Sequence, residues 1–190
     1  MAEGYSDIPH GTYAIWKSNT LGHEYDLDGS YGCQCWDYAS LFWRNVGFAV
    51  GYPLTGPNHS AYECWTVNKT ANAGNKFTLI YNKTDIKQGD VIVMNATTSN
   101  PNGHITFADE DYNGTNSIWC IGQNQGGTPS PSGGTAVTRN NLGLGDFLGA
   151  FRYNDWHTTP PTPPTPTGGY ARPRQGFKWA LYARKLREKW

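Results

Sequence analysis

One stretch gathers most of the residues able to do chemistry: YDLDGSYGCQCWDYAS, residues 25–40. Counting Asp26 as position 1 puts Asp28 at 3, Ser30 at 5, Gly32 at 7 and Asp37 at 12. A twelve-residue EF-hand loop draws its calcium ligands from those positions. Three carboxylates among other oxygen donors, on a chain that Gly29 and Gly32 allow to turn tightly, suit a hard divalent cation. Position 6 is Tyr31 rather than glycine, and position 12 is the shorter aspartate, so this is not an ordinary EF-hand. Asp26 and Asp28 equally suit turns, and Asp37 equally suits the N-terminus of a helix.

Cys35 falls where that loop passes into an apolar, helix-like segment. A helix N-terminus favours the thiolate and turns a cysteine into a working nucleophile. Such a thiol needs a histidine to carry its proton and a third group to hold the ring. His104 opens a short apolar run just after Gly103, and Asn124 closes the next such run beside a glycine turn. Cys, His and Asn together are one solution to acyl transfer. Each of these residues taken singly is also an ordinary core or strand-end residue. His10, His23, His59 and His157 have no comparable setting. Cys33, Cys35, His104 and Cys120 offer soft ligands, but C-x-C is too short for the usual zinc-binding pair.

The elements that must position these groups can be read from periodicity. Cys35, Ala39, Phe42 and Val46 recur at spacings of four, three and four, one face of a helix that Gly47 can end. A weaker helical pattern covers residues 60–69. Short apolar runs bounded by Gly, Asn and Asp follow at 77–81, 90–95, 104–108, 117–122 and 149–153. Helices first and a largely antiparallel sheet afterwards predict an α+β fold. Residues 1–156 form the expected body. HTTPPTPPTPTGG, residues 157–169, reads as a polyproline spacer, and residues 158–167 would reach about 31 Å if extended.

Residues 170–190 carry seven Lys/Arg and one Glu, a net +6, although the whole chain is neutral. The remaining body is therefore acidic, which gives no expectation of nucleic-acid binding. Trp179, Tyr182, Leu186 and Trp190 recur at three, four and four, so the tail predicts a short basic amphipathic helix for an anionic surface or a partner protein. MAEGYSDIPHGTY at the start has neither a charged n-region nor an apolar run. That gives the expectation of a chain made in a cytoplasm, with its four cysteines as thiols rather than disulfides.

The ordered set D-x-D-G-x-Y-G-x-Q-C-x-D, then G-H with an apolar strand, then a strand ending in Q-N-x-G-G resembles the CHAP family, the cysteine, histidine-dependent amidohydrolases/peptidases of many bacteriophage endolysins. The resemblance runs from about Gly11 to Asp155. IKQGDVIVMN, residues 86–95, is similar to a strand entry shared with NlpC/P60 relatives. The resemblance implies a papain-like (NlpC/P60-type) α+β fold, with N-terminal helices packed on an antiparallel sheet. It implies hydrolysis of an amide bond in the peptide part of bacterial peptidoglycan. Cys35 would be the nucleophile, His104 the base and then the acid, and Asn124 the residue that orients the imidazole. Gln34 would help the Cys35 amide hold the oxyanion. Asp26, Asp28 and Asp37 match calcium ligands, with Ser30 and Gly32 donating backbone oxygens. Partners would be the wall itself, with anionic wall polymers, a membrane surface or a phage tail protein meeting residues 170–190. The chain would reach the wall from a host cytoplasm through a holin-type route, or as part of a phage particle.

Many family members carry E-Q-N where this chain has Gly122, Gln123 and Asn124. The missing glutamate leaves a second reading, a non-catalytic, calcium-stabilised wall-binding or structural module. Cys120 shares strand parity with positions 122 and 124, so it is expected to face the same site. Trp36, Trp43, Trp65 and Trp119 are expected either to line a groove or to fill the core.

Overall fold

The computed structural model describes residues 8–127 and 133–157. The spacer beyond His157 and the basic tail lie outside these residues. The first helix, α1 (Tyr13–Thr20), starts at Thr12, whose hydroxyl accepts the Ile15 amide at 3.2 Å. It buries Tyr13, Trp16 and Thr20. The helix that matters most is α2 (Cys35–Asn45). Its first turn is closed by Asp37, whose Oδ2 accepts the Gln34 amide at 3.0 Å. It ends as the spacing expects, with Gly47 in the left-handed region at φ 96 and the Phe48 amide returning to the Trp43 carbonyl.

The weak helical pattern at 60–69 resolves into two short helices, α3 (Glu63–Thr66) and α4 (Lys69–Ala73). Six strands follow: β1 (Phe77–Ile80), β2 (Val91–Met94), β3 (His104–Ala108), β4 (Ser117–Gly122), β5 (Thr138–Gly143) and β6 (Phe147–Tyr153). They form one antiparallel sheet in the order β1-β6-β2-β3-β4-β5. A last short helix, α5 (Asn154–His157), extends the body one residue past the expected boundary.

Aromatic packing between helices and sheet makes the main core. Phe42 meets Trp16, Phe107 and Trp156 with ring centroids 4.6–5.2 Å apart. Trp43 stacks on Phe77 at 4.5 Å. Each such side chain contributes about 1.5–3 kcal/mol by leaving water. The opposite face of the sheet carries a second apolar layer that includes Ile80, Ile92, Ile118 and Ala150. Burial on both faces explains why β2 reads as an unbroken apolar run, VIVM. The result is the expected α+β, papain-like layout, with the N-terminus of α2 brought to the strand that begins at His104. Among the described residues, no helix is long and apolar enough to cross a membrane.

Candidate active site

Three local features place Cys35 and His104. Tyr31 and Gly32 both sit in the left-handed region, at φ 64 and 71, and turn the acidic loop back toward the start of α2. Gly103, at φ 66, precedes His104, and a Cβ there would lie 2.5 Å from the Met94 carbonyl oxygen and 2.9 Å from the Tyr62 Cβ. Only glycine fits that approach, which is why a Gly-His pair begins the strand. Gln123 is fully buried at the end of β4. It accepts the Tyr25 amide at 3.0 Å and donates to the carbonyls of Tyr25 and Gln34, at 2.8 and 3.2 Å. That one carboxamide ties both ends of the acidic loop to the sheet.

Cys35 is half-buried at the first position of α2, and it lines an open groove with Asp28, Tyr31, Gln34, Asn58 and His59. Burial pushes its thiol up. The opposing charge and hydrogen bond of His104, with the amides of Ile105 and Trp36, overcome that and hold the thiol below the ordinary cysteine range. His104 answers in the opposite sense. Burial lowers its basicity, while the Cys35 charge and hydrogen bonds to Cys35 and Gln125 raise it above the usual histidine value. Both shifts favour passing the Cys35 proton to the His104 ring. The other cysteines differ. Burial pushes Cys64 well above the ordinary thiol range and Cys120 up to about 12. The four cysteines form no disulfide.

Among the described residues, Asn124 makes no hydrogen bond with the imidazole. Its backbone is left-handed, at φ 53, and its side chain is exposed, with Nδ2 donating to Gln34 Oε1 at 2.8 Å. The residue against the ring is Gln125, whose Oε1 lies 3.1 Å from His104 Nε2. The left-handed step at Asn124 turns the chain, so the side chain one position later comes back over β3. Simple strand alternation past Gly122 could not show this. Cys120 is likewise not in the groove; it lies in the apolar layer on the sheet. Gln34 sits beside Cys35, its Nε2 donating to the Tyr31 carbonyl at 2.6 Å and its Oε1 accepting from Asn124. Of the four tryptophans, Trp43 and Trp65 are core residues, while Trp36 lines the groove with its indole N–H on the Pro53 carbonyl. Trp119 is partly exposed beneath Arg139, whose guanidinium lies 4.2 Å from the ring centroid.

The acidic loop brings one oxygen each of Asp26, Asp28 and Asp37 within 4.8 Å of one another. Asp26 Oδ1 accepts the Gly29 amide, Asp28 Oδ1 accepts the Ser30 amide, and Asp37 Oδ1 accepts the Leu27 amide. Asp37 is almost fully buried, and its carboxyl is pushed up to about 6, by burial first and then by the charges of Asp28 and Asp26, against the pull of its two amide donors. This is a cluster of hard anionic donors held at close quarters two residues from Cys35.

The CHAP-domain family model matches residues 24–124, which spans the acidic loop, Cys35, His104 and Asn124. A D-alanyl-L-alanine endopeptidase of Streptococcus phage B30 is 32% identical over 120 residues, covering 61% of this chain and a quarter (25%) of that relative. The crystal structure of the wild-type endolysin LysIME-EF1 superposes with a TM-score of 0.59 at 25% identity, covering 74% of this chain and 62% of the endolysin chain. The chain therefore spans only part of the length of either relative. On the family match, and on the order of loop, cysteine, histidine and sheet that it covers, this chain belongs to the CHAP family.

Proposed function

We propose that this protein is a cysteine peptidoglycan hydrolase that cuts an amide bond in the peptide part of the bacterial cell wall. The observation that carries the reading is Cys35 at the N-terminus of α2 with its thiol held low by His104. His104 takes the thiol proton, and the sulfur attacks the scissile carbonyl to give a tetrahedral oxyanion. The Cys35 amide and the Gln34 side chain beside it would hold that oxyanion. Collapse expels the amine, which takes its proton from the imidazolium, and leaves a thioester. Water, deprotonated by the same imidazole, then releases the acid and the free thiol. Asn124 supports this arrangement by holding the Gln34 carboxamide.

Among the candidate bonds (stem peptide, cross-bridge or muramoyl–alanine link), the D-alanyl–L-alanine link is the first to test, because the phage relative is named for it. The test is loss of turbidity of a wall suspension, with mass spectrometry of the released fragments. Cys35→Ala should abolish lysis while leaving the melting temperature near that of the parent. Cys33→Ala should keep substantial activity. Equal loss from both would remove Cys35 as the nucleophile.

Calcium is part of the proposal. The cluster fits it, because the donors are hard oxygens, three of them carboxylates, and six to eight oxygens at 2.3–2.6 Å is the shell calcium takes. Asp26, Asp28 and Asp37 would hold the ion with the backbone oxygens of Ser30 and Gly32. Bound there, calcium would offset two of the three carboxylate charges and fix the chain leading into Cys35. On their net +6 charge, residues 170–190 would add salt-sensitive binding to an anionic wall polymer, a membrane or a tail protein.

A further inference from the structure

We infer that Gln125 is the positioning residue for His104, and that position 122 is glycine because the Gln125 carboxamide fills the space a side chain there would need. A Cβ built on Gly122 would lie 2.6 Å from Gln125 Oε1 and 2.8 Å from Thr106 Oγ1. Both are closer than real Cβ contacts come. The two residues therefore interlock.

The carboxamide has one orientation. Its Nε2 donates to the Cys120 carbonyl at 3.2 Å and to the Thr138 carbonyl at 2.9 Å. Turning it over would aim its oxygen at two carbonyl oxygens, so Oε1 must face His104 and Thr106. The backbone of Gln125 is fixed too, because Asn140 Nδ2 donates to its carbonyl. Oε1 thus presents an acceptor 3.1 Å from His104 Nε2. A fixed acceptor there requires the proton on Nε2, which leaves Nδ1 unprotonated to receive the proton of Cys35. The device works without a second negative charge beside the ring. The imidazolium formed in the reaction is balanced by sulfur and by the amide dipole, and a carboxylate from position 122 is not needed.

The kinetic part of this inference rests on the thiol-hydrolase reading, and the ring measurement does not. In full-length protein carrying Cys35→Ala, at about pH 8.5, above the ordinary histidine range, the ¹⁵N shifts of the His104 ring should report a single Nε2–H tautomer. Adding Gln125→Ala should give a mixture. With Cys35 intact, Gln125→Ala should lower kcat on solubilised wall fragments about 10–100-fold with KM nearly unchanged, part of the 10²–10⁴-fold that a placed acid–base group supplies. Gly122→Ala, which removes no atom, should reproduce that loss by displacing the carboxamide, and it should add nothing in the Gln125→Ala background. It carries the kinetic test even where Gln125→Ala does not fold. The inference is overturned if the ring keeps its Nε2–H tautomer without Gln125, if kcat changes less than about twofold, or if the two losses simply multiply. Lysis by Cys35→Ala protein would instead overturn the thiol reading, and the ring shifts would still decide the role of Gln125.

Discussion

Neutralising two carboxylates of the acidic loop should stabilise the protein without calcium and destabilise it with calcium. At the 4.8 Å bounding the oxygens of Asp26, Asp28 and Asp37, two unit charges repel by ~0.9 kcal/mol in water and ~3.5 kcal/mol at an effective dielectric of about 20. Asp26 and Asp28 are partly or fully exposed and Asp37 is buried, so each pair falls between those limits. Asp26→Asn with Asp28→Asn keeps the side-chain oxygens that accept the Gly29 and Ser30 amides and removes two of the three charges.

In EDTA the doubly substituted protein should therefore melt a few degrees above the parent. In millimolar calcium the order should reverse. A hundredfold excess over Kd stabilises the folded parent by about 2.7 kcal/mol, and at this chain length about 2–4 °C per kcal/mol gives a rise of about 5–11 °C. The variant should gain little. Magnesium should do less for the parent, since it demands a tight octahedron that a loop with this donor spread supplies poorly. Thermal melts of both proteins in EDTA, calcium and magnesium suffice. If the parent melt is unmoved by EDTA and calcium, the loop is only a turn. If the variant is the less stable protein even in EDTA, the repulsion argument is wrong.

Other outcomes follow from buried polar groups. Asp109 accepts from Tyr13 at 2.9 Å, from Lys17 at 2.7 Å and from Arg139; burial raises its carboxyl, but those three partners hold it below the usual range. A depressed carboxylate stabilises the fold above the ordinary range and loses that stabilisation as pH falls through its folded value. Asp109→Ala should therefore cost about 2–4 kcal/mol at pH 7, and denaturant titrations should show the gap closing below about pH 4. Gln123→Ala would remove the hydrogen bonds that Gln123 makes with the Tyr25 amide and with the carbonyls of Tyr25 and Gln34, lowering the melt by several degrees and weakening the response to calcium; an unchanged response would separate the loop from the sheet. Gly103→Ala should reduce lysis more than it reduces stability, because the displaced atoms lead directly into His104.

Local chemistry made much of this architecture readable. The spacing of Cys35, Ala39, Phe42 and Val46 marked α2, and β1, β2, β3, β4 and β6 were marked by apolar runs ended with glycine, asparagine or aspartate. The elements missed are those whose stability comes from elsewhere. Strand β5 reads TRNNLG and alternates exposed with half-buried residues at the sheet edge, so it exists by pairing with β4 and has no apolar signature. Helix α1 mixes Trp16 and Tyr13 with Lys, Ser, Asn and Thr, and only its packing on Tyr38 and Phe107 selects its buried face. Helix α5 is held by Trp156 against Phe42 and by its indole N–H on the His10 carbonyl, a contact across the whole chain.

The same distinction runs through the site. Cys35 and His104 were legible because their positions are set by local backbone: a helix start in one case, a left-handed glycine in the other. The residue against the ring, Gln125, was not, because its place depends on the left-handed residue at Asn124. Alternation along β4 fixes the faces of residues 117–122 and fails once the strand ends. From there Gln123 turns inward to the loop, Asn124 outward to Gln34, and Gln125 back to the imidazole. Three consecutive carboxamides thus serve three different neighbours, and no periodicity distinguishes them. The one signal in the sequence was negative: a glycine at 122, where the resemblance leads one to expect a side chain. Space left at one position has to be filled from another, and a glutamine three residues on has the reach and both donors and acceptors to fill it. The lost acidic residue is therefore a reason to look for a substitute acceptor rather than for a lost activity.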